Sequence, residues 1–473
     1  MSWTRRSLLR AGSLAATAVA SSSFLAACSG QTRSANGKSS ASSSGTALPS
    51  YAAGAVILNF SCNWQAPWST TAQQLNQEFI DANYNSQPAN KGYYWKVFPN
   101  IQGQGAAQIA ASLAGKGYMD VYHDCCSDFA ALEKSGLMTP LNSYIQKDNV
   151  DMSIFSQRKV DALTLNGEIL ALPAYDGTVA MMYREDLINK AGQTVPNPDW
   201  NWQDAQQIWQ SVSTNVSSGK SSTHQYGVCL FSTPWDETLD YLLHGWGTTK
   251  MDSTGTVFTG YNKEGIALMT YLQNLATNKI AMGRSNIITQ AQGQCVFRMA
   301  GNWDLIYAAE ELGTAIPWNI LPVPKWPSQQ ATYVNLDAYV LNKATKHPQQ
   351  AWEFMKWVTT QSAYQEFQMK TTMVAPCITS LWSTWQSIVT QQAPPLQGKN
   401  LQYYAEADQQ NYAYPEKFFK YHANEAITLM NKWCNEIWAG SESPTTGLQQ
   451  LAHQINAMEA ASVPSGSSSS TSA

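Results

Sequence analysis

The sequence has 473 residues, with 18 Trp and 22 Tyr but only 13% charged side chains, and this length allows two or more domains with large cores. Its formal net charge is −4, and the part after the first 27 residues has 26 Lys and Arg against 33 Asp and Glu, which argues against a nucleic-acid partner. The arginines between residues 50 and 460 are Arg158, Arg184, Arg284 and Arg298. Because ligands that carry phosphate or carboxylate groups favour arginine forks, this scarcity predicts a neutral ligand.

The first 51 residues have the composition of targeting and linker segments. Twin arginines, Arg5 and Arg6, precede an apolar run that is too short to remain in a bilayer, so residues 1–27 are interpreted as a twin-arginine export signal. The tetrapeptide that ends at Cys28 is similar to a bacterial lipobox, in which Cys28 is lipidated and becomes the first residue of the mature chain. Residues 28–51 then form a flexible Ser-rich tether, and residues 461–473 form a disordered tail. We therefore expect an extracytoplasmic protein that is anchored to the cell membrane.

Apart from Cys28, the cysteines and histidines are scattered along the chain. Seven further cysteines are an odd number, which does not indicate a disulfide framework. The adjacent pair Cys125-Cys126 could form a vicinal disulfide, but two free thiols are expected. Neither a CxxC nor an HExxH motif occurs, so the spacing predicts no metal site and no cofactor.

The first ordered part of the chain alternates strands and helices. Strands are predicted over 55–60, 95–98 and 119–122, and helices over 70–83, 106–113 and 129–135. This alternation is typical of a parallel sheet, whose ligands bind at the carboxyl ends of the strands. Trp64 and Asp124 follow two of these strands and are therefore candidate ligand-binding residues.

A second candidate site lies in the stretch 291–304. The alternation of Cys295, Phe297 and Met299 predicts a short strand with one buried face, which Gly301 ends. Asn302 and Trp303 then stand on a turn, where an indole face and polar side chains could hold a polyhydroxylated ring. The alternative is that Trp303 is an ordinary core residue.

An ordered set of motifs over 55–460 resembles the carbohydrate-binding branch of the extracellular solute-binding proteins of ABC importers. A Gly-turn hairpin, a Leu-Pro step and a long apolar strand follow one another over Leu163–Tyr183. The similar order continues with the segments 191–202, Gln294–Trp303, Leu321–Pro324, Ala351–Trp357 and Met373–Pro376. One departure is Asp337, a carboxylate in a stretch that is Gly-rich in the family.

The resemblance implies an α/β, two-lobe periplasmic-binding-protein-like fold with discontinuous lobes, hinge strands and a ligand cleft between them. The N-terminal lobe is expected over 52–174 and 326–366, and the C-terminal lobe over 175–325 and 367–460. Further ligand-binding candidates are Tyr175 and Asp176 at the first crossover, Trp235 and Asp236 at a position where the family has a stacking aromatic, Asn302 with Trp303, and Asp337.

The function that the resemblance implies is capture of a neutral mono- or oligosaccharide by hinge closure and delivery to the membrane subunits of an ABC importer, without enzymatic activity. One alternative is a secreted lipoprotein enzyme that acts on glycans, for which the adjacent carboxylates 236–237 and 310–311 are available. The sequence has neither a GxSxG motif nor a phosphate loop. A sugar-sensing binding lipoprotein is the other alternative.

Overall fold

The computed structural model describes residues 55–62, 69–99, 119–124, 136–215, 224–230, 235–283 and 286–463. The predicted export signal, Cys28, the tether, Trp64, the cysteine pair 125–126 and the helices predicted over 106–113 and 129–135 lie outside the described residues, as does the tail from residue 464. None of the described helices is long and apolar enough to cross a membrane.

The described chain contains helices and strands in mixed order, as expected of an α/β protein. The helices are Ser69–Ile80, Asn142–Asp148, Gln157–Ala162, Glu185–Lys190, Trp202–Asn215, Trp235–Trp246, Lys263–Thr277, Ile287–Ala291, Leu305–Glu311, Pro348–Thr360, Ser362–Thr372, Trp382–Gln392, Gln402–Gln409, Ala423–Trp438 and Pro444–Ala460. The strands form two larger sheets and some two-stranded ladders. One ladder, Thr164–Leu165 with Glu168–Ile169, is the predicted Gly-turn hairpin.

The first sheet contains the early strands of the chain. Its order is Tyr93–Pro99, Val56–Cys62, Val121–Asp124, Ala338–Leu341 and Leu172–Pro173. The first three strands are parallel, which confirms the predicted parallel sheet, whereas Ala338–Leu341 is antiparallel to both its neighbours. Helix Pro348–Thr360 packs on this sheet, and the ring of Phe354 stacks on Trp95 with centroids 3.9 Å apart. A late segment of the chain therefore completes a core that the early strands begin.

The second sheet is buried on both faces. Its order is Ala281–Met282, Tyr226–Cys229, Cys295–Gly301, Val179–Arg184 and Trp318–Leu321. Val179, Met181 and Tyr183 belong to one core, and Ala180 and Met182 to the core on the other side. All seven residues of Cys295–Gly301 are buried, so the prediction of a single buried face for this strand is wrong. The reason is that helices cover both sides of the sheet, which a period of two cannot reveal.

The chain crosses between the two sheets at several places. It leaves the first sheet after Leu172–Pro173 and enters the second at Val179, and it returns from Leu321 to Ala338. On the first crossing, Tyr175–Asp176 pairs antiparallel with Ala375–Pro376, which lies on a third crossing.

The segment that returns from Leu321 packs against the second sheet beyond residue 326, the predicted start of its first-lobe part. Trp326, Tyr333 and Val334 pack into the core of the second sheet, although residues 326–366 were counted with the first lobe. On the third crossing, helix Ser362–Thr372 places Tyr364 in the core of the first sheet and Met369 in a core of the second.

Candidate functional site

Trp303 lies on a short 3-10 helix, Asn302–Asp304, at the end of a fully buried strand. Its indole is half-buried and packs against the core of the second sheet. A Cβ atom on Gly301 would stand 2.2–2.3 Å from three ring atoms of Trp303, so only glycine allows the indole to lie against the end of the strand. The ring keeps a partly exposed surface at the position that the sequence predicted for a ligand contact.

Asn302 connects this turn to the first crossing. Its backbone N–H donates to the carbonyl of Thr178 at 3.1 Å, and its Nδ2 donates to the carbonyl of Asp176 at 3.2 Å. The side chain is buried, and its Oδ1 atom has no hydrogen-bond partner among the described residues. The end of strand Cys295–Gly301 therefore meets the first crossing and brings together the predicted residues Asp176, Asn302 and Trp303.

Asp176 is fully buried and forms an ion pair with Lys159. The distance between Lys159 Nζ and Asp176 Oδ1 is 2.8 Å, and the same Nζ donates to the carbonyl of Tyr175. Burial raises the pKa of Asp176 to about 6 in spite of the attraction of Lys159. Burial alone would lower the pKa of Lys159, but Asp176 and Asp337 attract its charge and raise that pKa above its ordinary value.

Lys159 was not predicted from the sequence. It belongs to the short helix Gln157–Ala162 and is preceded by Arg158, so its position looks like that of an ordinary surface lysine. No motif or spacing distinguishes it, because its partner Asp176 is brought near only by the tertiary fold.

Asp337, the departure from the family pattern, pairs with a histidine. His123 Nε2 lies 3.0 Å from Asp337 Oδ1, and both side chains are about 1% exposed. Asn335 donates from Nδ2 to the other carboxylate oxygen, and its Oδ1 accepts from the backbone N–H of Gly177 at 2.8 Å. The half-buried ring of Tyr175 stacks on His123, with centroids 5.5 Å apart and planes at 9°. The stacking of Tyr175 on His123 thus connects the first crossing, which also carries Asp176, with Asp337.

Trp235 lies in a more buried setting than Trp303. It is the first residue of helix Trp235–Trp246, and only 8% of its surface is exposed. Its Nε1 donates to Asn435 Oδ1 at 2.6 Å, and its ring meets Trp438 edge to face at 6.0 Å. Most of the indole therefore packs in the core of the second sheet. A ligand contact by Trp235 stays a prediction.

The other predicted site residues are only partly described. The backbone of Asp124 ends strand Val121–Asp124, as expected, and that of Asp236 lies in the first turn of a helix. Their side chains and all of Trp64 lie outside the described part of the structure. Among the described residues, no group of three or more His, Cys, Asp or Glu is placed to hold a metal ion.

The arrangement offers a partly exposed aromatic face beside a buried polar layer whose carboxylates contact a lysine and a histidine. Such a site suits a ligand that has apolar ring faces and neutral hydroxyl groups, because a charged ligand would need an unpaired partner of opposite sign.

The two sheets and the crossings between them form the two-lobe fold of periplasmic binding proteins. Similar solved structures include the ABC substrate-binding protein from Listeria monocytogenes in complex with cycloalternan, at 18% identity over 85% of this chain and 99% of that chain, with a TM-score of 0.69. The cyclic α-maltosyl-1,6-maltose binding protein from Arthrobacter globiformis is 17% identical over 86% of this chain and 99% of that chain, also with a TM-score of 0.69. The sugar-binding protein MalE from Xanthomonas citri is 15% identical over 86% and 98% of the two chains, again with a TM-score of 0.69. At such identities the likeness shows the fold.

The family itself is shown by the sequence. The family model of the bacterial extracellular solute-binding proteins matches residues 88–395, and the chain belongs to this family. Its membership places the protein outside the cytoplasm as a binding component.

Proposed function

We propose that this protein captures a neutral carbohydrate between its two lobes and delivers it to the membrane subunits of an ABC importer. The observation that supports this most strongly is the position of Trp303. Its indole is half-buried, and the side chain of the preceding residue, Asn302, donates a hydrogen bond to the first crossing. An aromatic ring at this place could lie against the apolar face of a sugar ring. Closure of the lobes would then exclude water from that contact.

The carbohydrate class is supported by two independent observations. Similar folds belong to proteins that bind cycloalternan and cyclic α-maltosyl-1,6-maltose. Within this chain, Asp176 is paired with Lys159, and Asp337 contacts His123 and Asn335, so both carboxylates already have partners inside the protein. We propose Trp303 and Tyr175 as direct ligand contacts, and Asp176, Asn302 and Asp337 as the buried layer that supports them.

Hinge closure requires two lobes that move about the crossings. We propose that each sheet is the centre of one lobe, close to the predicted division into 52–174 with 326–366 and 175–325 with 367–460. The packing of Trp326 and Tyr333 in the core of the second sheet favours a return crossing near residues 334–337. The N-terminal segment would anchor the protein through lipidated Cys28 after export.

The rival functions make different predictions. A glycoside hydrolase would need two carboxyl groups on either side of the scissile bond. The buried carboxylates of the crossing are instead held by a lysine and a histidine, which favours binding over catalysis. A sensory lipoprotein would bind the same ligands, but deletion of the importer would leave its role intact.

A thermal-shift screen of the purified protein over mono- and oligosaccharides tests the proposal. A sugar present at 100 times its Kd should stabilise the folded state by about 2.7 kcal/mol. The stabilising sugar is then incubated with the protein and recovered unchanged if the protein only binds it. Release of a hydrolysis product would overturn the proposal in favour of an enzyme, and a screen in which only amino acids or peptides stabilise the protein would overturn the carbohydrate class.

A further inference from the structure

Lys159 lies where three crossings between the sheets meet. Its Nζ contacts the first crossing through the carbonyl of Tyr175 and the carboxylate of Asp176. Its charge also attracts Asp337 on the return crossing. The strand of its partner Asp176 pairs with Ala375–Pro376 on the third crossing. A single ammonium group thus contacts the first crossing, attracts a residue of the return crossing, and lies beside the ladder that joins the first and third crossings.

The helix that carries Lys159 is attached to the first sheet. Ala162 and Leu163 pack in a core with Tyr122 and Val340 of that sheet. Val160 packs with Cys377 and Ile378 after the third crossing. The ammonium group is therefore held from the first lobe and directed at the segments that join the two lobes.

A continuous series of contacts leads from Lys159 to the aromatic candidate of the second lobe. Lys159 Nζ binds Asp176 Oδ1 at 2.8 Å, and the carbonyl of Asp176 accepts from Asn302 Nδ2 at 3.2 Å. Asn302 begins the 3-10 helix whose next residue is Trp303. Because a buried ion pair has strict geometry, a change at its lysine should displace both the crossing strand and this turn.

We propose that Lys159 is a positioning residue of the ligand site, which fixes the Trp303 turn relative to the first lobe through Asp176 and Asn302. This inference rests on the proposed function for its binding assay, but its structural part is independent of the ligand. Other charged groups close to the pair are Asp408, which acts on Asp176, and Arg158, which acts on Asp408. Neither replaces the direct contact of Lys159 with the crossing.

The chain provides a matched control for the obvious substitution. Lys250 and Asp240 form another buried pair at 3.0 Å, with side chains 1% and 3% exposed, and both residues belong to the second lobe. Lys159→Met and Lys250→Met each remove one buried ammonium and leave one buried carboxylate without that partner. Both variants should therefore have a lower Tm, since loss of one partner of a buried pair is destabilising.

Binding separates the two variants. We expect Lys159→Met to weaken the affinity for the best sugar of the screen at least tenfold, whereas Lys250→Met stays within threefold of the wild-type Kd. The double variant Lys159→Met with Asp176→Asn removes both charges and should recover part of the Tm without recovering the affinity. Wild-type affinity in Lys159→Met or in the folded double variant would overturn the positioning role, as would an equal loss of affinity in Lys250→Met.

A measurement without sugar keeps this proposal distinct from the proposed function. Hydrogen exchange of the peptide that covers 295–304 should become faster in the Lys159 variants but not in Lys250→Met, because the Asn302 N–H depends on the crossing. Unchanged exchange would contradict the positioning role even if the wild type binds sugar. If the wild type binds no carbohydrate and the exchange still changes, the proposed function fails and the positioning of the turn stands.

Discussion

The role of Trp303 can be tested by a substitution that leaves its own side chain in place. Gly301 has φ −75° and ψ 159°, a conformation that alanine adopts without strain. An alanine Cβ would nevertheless lie 2.2 Å from the nearest atom of the indole, where ordinary contact begins at 3.4 Å. The ring must therefore move by roughly an ångström or more in Gly301→Ala, while the backbone of the strand can stay as it is.

The expected loss is set by what the indole contributes to binding. Truncating a central aromatic of an interface costs about 2–4 kcal/mol, which corresponds to a roughly 30- to 800-fold weaker Kd. We expect a loss of this order for Trp303→Ala and a similar or smaller one for Gly301→Ala. Because Trp303 is half-buried, its truncation should reduce folding stability by about 1–2 kcal/mol, below the ~3–5 kcal/mol of a fully buried tryptophan.

Calorimetry with the best sugar and urea unfolding should be performed on both variants and on their combination. The double variant should bind no worse than Trp303→Ala, since the indole is the obstacle that the new methyl group meets. Gly283→Ala is the control, because its Cβ would meet no atom of the described residues within 4 Å. An unchanged Kd in Trp303→Ala together with a large loss of stability would refute the site and make Trp303 a core residue.

Three further predictions concern the charge, the anchor and the buried pair. The affinity for sugar should be almost independent of ionic strength between low and physiological salt, and a steep decrease in calorimetry would indicate a charged ligand. Cys28→Ser should release the protein from the membrane fraction without changing its Kd, whereas retention at the wild-type level would contradict the lipid anchor. Burial raises the pKa of Asp176 from 3.8 to about 6, so the folded state binds this proton more tightly than the unfolded state does. The free energy of unfolding should therefore fall by up to about 3 kcal/mol as the pH rises from about 4 to about 6. Asp176→Asn should flatten this part of the stability curve in urea unfolding, and an equal slope in both proteins would show that Asp176 does not titrate there.

Local sequence was sufficient for the three parallel strands of the first sheet and for the position of the Trp303 turn. Apolar strands separated by amphipathic helices can pair in parallel with few alternatives, and a glycine after an apolar strand marks its end. The order of motifs along the chain also indicated the two-lobe fold. These features depend on residues close to one another in sequence.

The environment of the site was decided by tertiary structure. The sequence identified Asp176 and Asp337 as candidates but gave no reason to connect them with Lys159 and His123, which the fold brings close from distant positions. Trp235 also matched a family position, although Trp303 lies in the better-matched motif, and its indole packs against helix Ala423–Trp438, a segment far along the chain. Burial and charge pairing depend on contacts between remote segments, so spacing along the sequence could propose these residues but could not determine which of them keep an exposed face.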